Sequence, residues 1–415
     1  MYKVCKIRIY PNKTQEKLIR QTMGTCRWIY NQYLGYNIER YTIDGSFTTG
    51  YSFSKIVNQL KKSDERYYWL NGISSKAIQN SILNAEKAFK RFFKGLSKFP
   101  RFKSKKDPVN SFFFIKDSIH FNTNSKNIIK IPILKYMRIT EHRYLPNEED
   151  ITSGHVIYDH GKYFVSFRYQ IPPDDKTVLS DGIGIDVGIS KYLTVFRNPD
   201  TYYTKENFIF DERYKSIDEK IKRIQRIISN KAETNYKKLE VEYVNNHNEL
   251  PDDKTKNIMK GKSYATSNIR KLWSKLVRLH FKRINYSKDK VNKMVCMIAK
   301  AKPEYITIED LQIENMTANV KNAENNHHEL HDYIQKSMFR YFRLRLEQKC
   351  HEYSIELRVA NKYFASSKKC SNCGHKNKDL SLNDRVYVCD KCGLFIDRDL
   401  NAAINLCNLK KYNVM

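Results

Sequence analysis

From residue 2 to 10, YKVCKIRIY alternates apolar with basic or polar positions, the period-two pattern of a half-buried strand. The period then changes. In PNKTQEKL, Asn12 stands where a helix cap is needed, and Gln15 follows three residues on, close to a capping box. Leu18, Ile29, Tyr30, Tyr33 and Leu34 carry a helical rhythm up to the turn-rich IDGSFTTGYS at 43–52. A second helix starts near Ser74 or Ser75. Ile78, Ile82, Ala85, Phe89 and Phe92 form one stripe, and Lys87, Lys90, Arg91 and Lys94 lie mostly on the other face. From 110 to 171 the segments SFFFI, NIIKIPIL, GHVIYD and KYFVSFRY are β-rich and punctuated by turns, and IPPDDK at 171–176 reads as a linker. The first half is therefore expected to hold a β-barrel from 1–10 and 96–175, with a helical domain inserted at 11–95.

The second half opens on GIGIDVGISKYLTVF (182–196), which reads as a buried strand, a tight glycine turn and a second strand. FIF (208–210) is expected as a third. A helix over about 213–229 carries Ile217, Ile221, Ile224 and Ile228 on one stripe, and 230–263 reads as polar and irregular. A long basic helix spans about 266–300. PEYITIED (303–310) is a strand, an amphipathic helix runs over about 332–352, SIELRVA (354–360) is a strand, and a helix from about 399 closes the chain. Three strands in a meander, then helix, strand, helix, strand, helix, is the element order of an RNase H-like fold. The fold class predicted is α/β and α+β multidomain.

Charge narrows the partner. Of 415 residues, 75 are Lys or Arg and 45 Asp or Glu, a formal net charge of +30. Such a surplus calls for a polyanion. Membrane surface is disfavoured, because no run of 18 apolar residues and no lipidation motif is present. The opening strand lacks the apolar block of a signal peptide, so the expected location is the cytoplasm. KGLSKFPRFKSKK (94–106) sets basic residues around Phe99 and Phe102, so that charges can meet phosphates and rings can stack on bases. Lys98, Arg101, Lys103, Lys105 and Lys106 are the candidate nucleic-acid contacts; the bland alternative is a solvated basic linker.

Three acidic positions stand out. Asp186 lies inside an apolar strand, where an unpaired charge is costly. At the end of YITIED either Glu309 or Asp310 is available, and strand alternation alone does not choose between them. In DRDLNAAINL, Asp397 suits a helix cap and Asp399 an inward-facing ligand. Carboxylates gathered without His or Cys suit hard cations, Mg²⁺ or Mn²⁺, able to support two-metal phosphodiester hydrolysis. The strongest local signal is CSNC…CDKC. Cys370, Cys373, Cys389 and Cys392 have C-x₂-C-x₁₅-C-x₂-C spacing, with Gly374 and Gly393 following each pair, as in a structural zinc ribbon. His327 and His331 make an i, i+4 pair with no second ligand group, and read as a solvated helix start.

At these residues the chain resembles the TnpB nucleases of insertion sequences and the miniature type V-F CRISPR effectors. KIRIYPNKTQEKLI is similar to the family's opening, and FPRFK to a family segment. GIDVG, IEDL and DRDLNAAINL resemble the three RuvC motifs, and SSKKCSNCG…CDKCG the target-nucleic-acid-binding segment. The resemblance runs nearly end to end. It implies catalytic Asp186, Glu309 and Asp399, an RNA guide and a double-stranded DNA target cut by one RuvC site beside a short adjacent motif. It also implies wedge (1–10, 96–175) and recognition (11–95) regions, a RuvC domain at 180–366 with a helical insert at about 211–300, a zinc ribbon at 367–396 and a RuvC C-terminal helix at 397–415. Monomer and homodimer on one guide RNA are both compatible with it. Two departures are visible: YSKDKVNKMV (286–295) replaces a DFLHK-like run, and 230–263 is long. The competing readings are a guide-free RNase H-like nuclease or resolvase and a catalytically inactive zinc-ribbon regulator.

Overall fold

The computed structural model describes residues 2–414, except 106–108, 117–118, 122–126, 132, 141–144, 173–177, 179–180, 198–200, 311–326, 362–363, 378 and 382–383. The chain divides into two compact units, Met1–Pro172 and Pro173–Met415.

In the first unit, β1 (Tyr2–Tyr10) leads into α1 (Lys13–Asp44), which begins with a complete capping box: Asn12 Oδ1 accepts from the Gln15 backbone N–H, and Gln15 returns a bond to the Asn12 N–H. Helix α1 runs on to Gly45, whose left-handed φ of 69° ends it. Next come α2 (Gly50–Ser63), a short 3₁₀ helix at Glu65–Gly72, and α3 (Ser75–Phe93). The strands β2 (Val109–Ile115), β3 (His120–Phe121), β4 (Ile128–Ile131), β5 (Lys135–Ile139), β6 (Ile151–Asp159) and β7 (Lys162–Gln170) join β1 in one sheet of order β2-β6-β7-β1-β5-β4-β3. Among the described residues no pairing joins its end strands, so the sheet is an open series rather than a demonstrated barrel. Two cores form. Ile19, Met23, Cys26 and Ala77 from the helices pack on the sheet, while Tyr33, Leu34, Phe53, Ile82 and Phe89 close the helical layer. Helix α2 and the 3₁₀ turn were not expected from the sequence.

The second unit is built on a sheet of order β10-β9-β8-β11-β12-β15. The strands β8 (Ile183–Asp186), β9 (Lys191–Arg197) and β10 (Thr201–Glu206) form an antiparallel meander, and β11 (Tyr305–Ile308) and β12 (Glu356–Ala360) lie parallel to β8. A closing strand β15 (Tyr412–Val414) pairs antiparallel with β12. Three expectations are corrected. FIF is a 3₁₀ turn, and the third strand is β10. Residues 230–263 are helical except for 248–252: α4 runs unbroken from Glu212 to His247, and α5 covers Asp253–Ser263. Beyond them, α6 (Ser267–Lys300) pairs with α4 through Ile217, Ile221, Ile224, Ile228, Ile269 and Leu276. The helix expected at 332–352 is two, α7 (His327–Ser337) and α8 (Phe339–Tyr353), broken at Met338 with φ 58°.

One face of this sheet carries Ile183, Ile185, Ile306 and Ile308 against Val295, Phe339, Phe342 and Leu346. The other is covered by α9 (Arg398–Cys407), which approaches so closely that a Cβ on Gly184 would lie 2.0 Å from the Ala403 carbonyl oxygen. A small hairpin, β13 (Val386–Val388) with β14 (Phe395–Asp397), precedes α9. No helix among the described residues is long and apolar enough to cross a membrane.

Candidate functional site

Each acid arrives on a different element. Asp186 ends β8 opposite Thr194 of β9, and Gly184 two residues earlier touches α9, so Asp186 lies on the α9 face. Glu309 follows β11, which runs parallel to β8 with Thr307 beside Gly184, and alternation puts it on that face too. Asp399 stands in the first turn of α9. Its helix is capped by Asp397, which accepts from the N–H groups of Asp399 and Leu400, each at 3.1 Å. Asp310 is engaged elsewhere, accepting from Arg343 of α8 at 2.8 Å.

The electrostatics register this meeting. Burial, and then the charges of Glu309 and Asp399, push the Asp186 carboxyl well above its usual range, against a pull from Arg398. Burial also raises Glu309, opposed by a hydrogen bond donated by Ser366 Oγ and by the charge of Arg398. A lysine the sequence reading did not single out stands at the rim. Lys191, the first residue of β9, places Nζ 2.6 Å from Asp397 and 3.8 Å from Asp399. Two further oxygens, the Thr194 and Thr307 hydroxyls, are buried on the same face without a hydrogen-bond partner among the described residues. One oxygen from each acid does not come within 4.8 Å of the other two; among the described residues only the four cysteines converge so tightly. A donor set of hard oxygens, with charge to be neutralised and unsatisfied hydroxyls beside it, fits Mg²⁺ or Mn²⁺ and not a soft metal.

The cysteines form a separate centre. Cys370 Sγ lies 3.6 Å from Cys392 Sγ, and Cys373 Sγ 3.5 Å from Cys389 Sγ. Tetrahedral zinc with 2.3 Å bonds needs sulfurs about 3.8 Å apart, so the set fits. The two knuckles repeat one turn. Gly374 N–H donates to the Cys370 carbonyl at 3.0 Å and Gly393 N–H to the Cys389 carbonyl at 2.9 Å, each glycine with φ above 70°. The Leu394 backbone N–H draws the Cys392 thiol down to about 6, favouring the thiolate that binds metal.

The basic segment is exposed at Lys98, Arg101, Lys103 and Lys105. The Phe102 ring is 59% exposed, whereas Phe99, 48% exposed, packs edge-on against Phe89 and Phe92 at the margin of the helical core. Lys103 is tethered: its backbone N–H donates to Asn31 Oδ1 at 2.8 Å, and Nζ lies 4.1 Å from the Tyr30 ring centroid. Lys106 lies outside the described residues, as do the side chains of His327 and His331.

Comparison with known proteins places this architecture. A Cas12f1-like TNB domain model matches residues 339–406, from α8 through the ribbon into α9. A helix-turn-helix domain model of IS605 OrfB matches residues 1–46, which here form β1 and the single helix α1. In sequence the chain is similar to TnpB-like proteins and, over these residues, to Cas12f1. Over 402 residues it is 26% identical to a Streptomyces pristinaespiralis protein provisionally named an RNA-guided DNA endonuclease, covering 97% of this chain and 87% of the relative. Escherichia coli K12 InsQ, with the same provisional name, is 22% identical over 410 residues, covering 97% and 90%. TnpB-like protein L770 of Acanthamoeba polyphaga mimivirus is 24% identical, covering 97% and 72%. The fold matches the Cas12f1 chain of a cryo-EM complex with sgRNA and target DNA at a TM-score of 0.53 and 17% identity, over 100% of this chain and 99% of the other.

Proposed function

We propose that this TnpB- and Cas12f-like chain is an RNA-guided DNA endonuclease that hydrolyses phosphodiesters of guide-complementary double-stranded DNA at one RuvC site. The observation that supports the reading is that Asp186, Glu309 and Asp399, from β8, the end of β11 and α9, stand on one face of the same sheet, where the charges of Glu309 and Asp399 act on Asp186. On this reading these three carboxylates hold Mg²⁺ or Mn²⁺, which when bound lowers the pKa of a water and offsets charge on the departing oxygen. The chain's own part is positional. Glu309 is oriented by Ser366, and Asp399 by the Asp397 cap. Lys191 supplies a positive charge at the rim, where a phosphate approaches. The four cysteines hold structural zinc.

In the first unit, the seven-stranded sheet, with 1–10 and 96–175, acts as wedge, and 11–95 as recognition domain. Lys98, Arg101, Lys103, Lys105 and Lys106 contact the nucleic-acid backbone. Sequence selection is left to base pairing, and the protein supplies charge and shape, as in other guided nucleases. The relatives named as RNA-guided DNA endonucleases and the +30 charge support this over a guide-free nuclease. The test is purification with and without nuclease treatment, followed by cleavage of DNA matching the copurified RNA. Cutting that requires both the RNA and Mg²⁺ supports the proposal. RNA-independent cutting, or none under any guide, overturns it.

A further inference from the structure

Helix α9 carries two asparagines one turn apart, Asn401 and Asn405, that are 0% and 8% exposed. Amides buried on the apolar side of a helix are costly unless fully bonded. Both are satisfied by one short stretch of chain. Asn405 Nδ2 donates to the carbonyls of Ser366 at 2.9 Å and Lys369 at 2.6 Å. Asn401 Nδ2 donates to the same Lys369 carbonyl at 2.7 Å, and its Oδ1 accepts from the Ser371 N–H at 2.9 Å. Only this orientation of the Asn405 amide avoids placing its oxygen against two carbonyls. The stretch so gripped, 366–371, contains the first zinc-type cysteine, Cys370. At its near end, Ser366, 3% exposed, turns its hydroxyl to Glu309. Two residues before Asn401 stands Asp399.

We infer that Asn401, Asn405 and Ser366 are positioning residues that couple the cysteine centre to the acidic site, so that metal in the ribbon sets the placement of both Glu309 and Asp399. The connection is continuous. Cys370 fixes the 369–371 backbone, the two amides lock that backbone to α9 and thereby Asp399, and the same lock holds the Ser366 hydroxyl against Glu309. A ribbon serving only to grip nucleic acid has no need of buried bonds to the catalytic helix. The functional consequence rests on the nuclease reading; the mechanical link does not.

The test uses the full-length protein in two arms. In the first, hydrogen exchange is followed before and after zinc is removed with a chelator. Protection is expected to fall in the ribbon and also at 305–309 and 398–407; loss confined to 367–397 overturns the link. Asn405→Ala, with zinc content measured alongside, is expected to expose 305–309 without chelation, and unchanged protection there overturns it as well. In the second arm, Mn²⁺ affinity is measured by titration. Ser366→Ala is expected to weaken it about 10- to 100-fold, the range typical of losing a group that orients a ligand. Ser366→Thr, which restores the hydroxyl, is expected to recover it with zinc content constant throughout. Equal Mn²⁺ affinity in Ser366→Ala and the wild type overturns the role given to Ser366. If the wild type shows no Mn²⁺ site sensitive to Asp186→Ala, the nuclease reading fails while the exchange arm still decides the coupling.

Discussion

At the scale of single residues, the acidic site depends on what each neighbour lacks as much as on what it carries. Gly184 has no Cβ, and so α9 can lie on β8 with the Ala403 carbonyl in the space a methyl would take. Gly184→Ala is expected to cost about 1–3 kcal/mol through overpacking. It should also move Asp399 away from Asp186, so that the melting temperature and cleavage both fall while zinc content holds. Asp186→Ala is expected to abolish cleavage and leave binding of guide and target within about twofold, because removing a ligand carboxylate spares the phosphate contacts. A filter-binding assay beside a cleavage assay separates the two. Asp186 was legible in the sequence as a charge inside an apolar strand, and Asp399 as the acid beyond the helix cap, whereas the strand pattern left Glu309 and Asp310 open and only the resemblance favoured Glu309. Lys191, Ser366, Asn401 and Asn405 were not, because their partners lie far off along the chain. A signal did exist for the asparagines: NAAIN repeats Asn at i, i+4 on the stripe that the alanines and leucines of α9 mark as buried.

At the scale of elements, those that bury a regular stripe were readable and those that face solvent were not. The helical stripe of Ile217, Ile221, Ile224 and Ile228 announced the first half of α4. Beyond Ala232 the helix continues largely exposed, with local support such as the Lys237–Glu233 pair at 2.9 Å, so no apolar period reports it. Strand β10 is an edge strand exposed along nearly its whole length, and it escaped for the same reason. The α7–α8 break has no Gly or Pro to mark it, since Met338 itself takes the left-handed conformation. The helical layer has its own ionic tie: Asp218 of α4 accepts from Arg283 of α6 and, at 2.9 Å, from Lys336 of α7. Burial pushes Asp218 up, but these bonds and charges prevail and hold its carboxyl below the ordinary range. Its contribution is therefore complete above the unfolded value of about 3.9 and is lost as pH falls through the lower folded one. Asp218→Asn is expected to destabilise by about 1.5–3 kcal/mol at neutral pH, since it removes the carboxylate that Arg283 and Lys336 share and leaves Lys336 with Asp332, at 2.6 Å. The deficit should shrink below that pH window, as denaturant titrations across pH will show. In the ribbon, Cys370→Ser is expected to lower bound zinc below one per chain by metal analysis and to loosen 367–397 to proteolysis.

At the scale of the whole molecule, charge and site serve one account. A chain with 30 more basic than acidic residues is expected to bind RNA with a steep salt dependence. Replacing Lys98, Arg101 and Lys105 together by Gln should reduce the slope of log affinity against log salt by about 2–3, which binding measured across a salt series will report. The central claim is narrower: acids from three separate stretches hold divalent cations in common. Anomalous diffraction from crystals grown in Mn²⁺ tests it most directly. The account predicts manganese peaks ligated by Asp186, Glu309 and Asp399 together. Manganese absent from these residues, or bound by one of them alone with the others turned away, would contradict it.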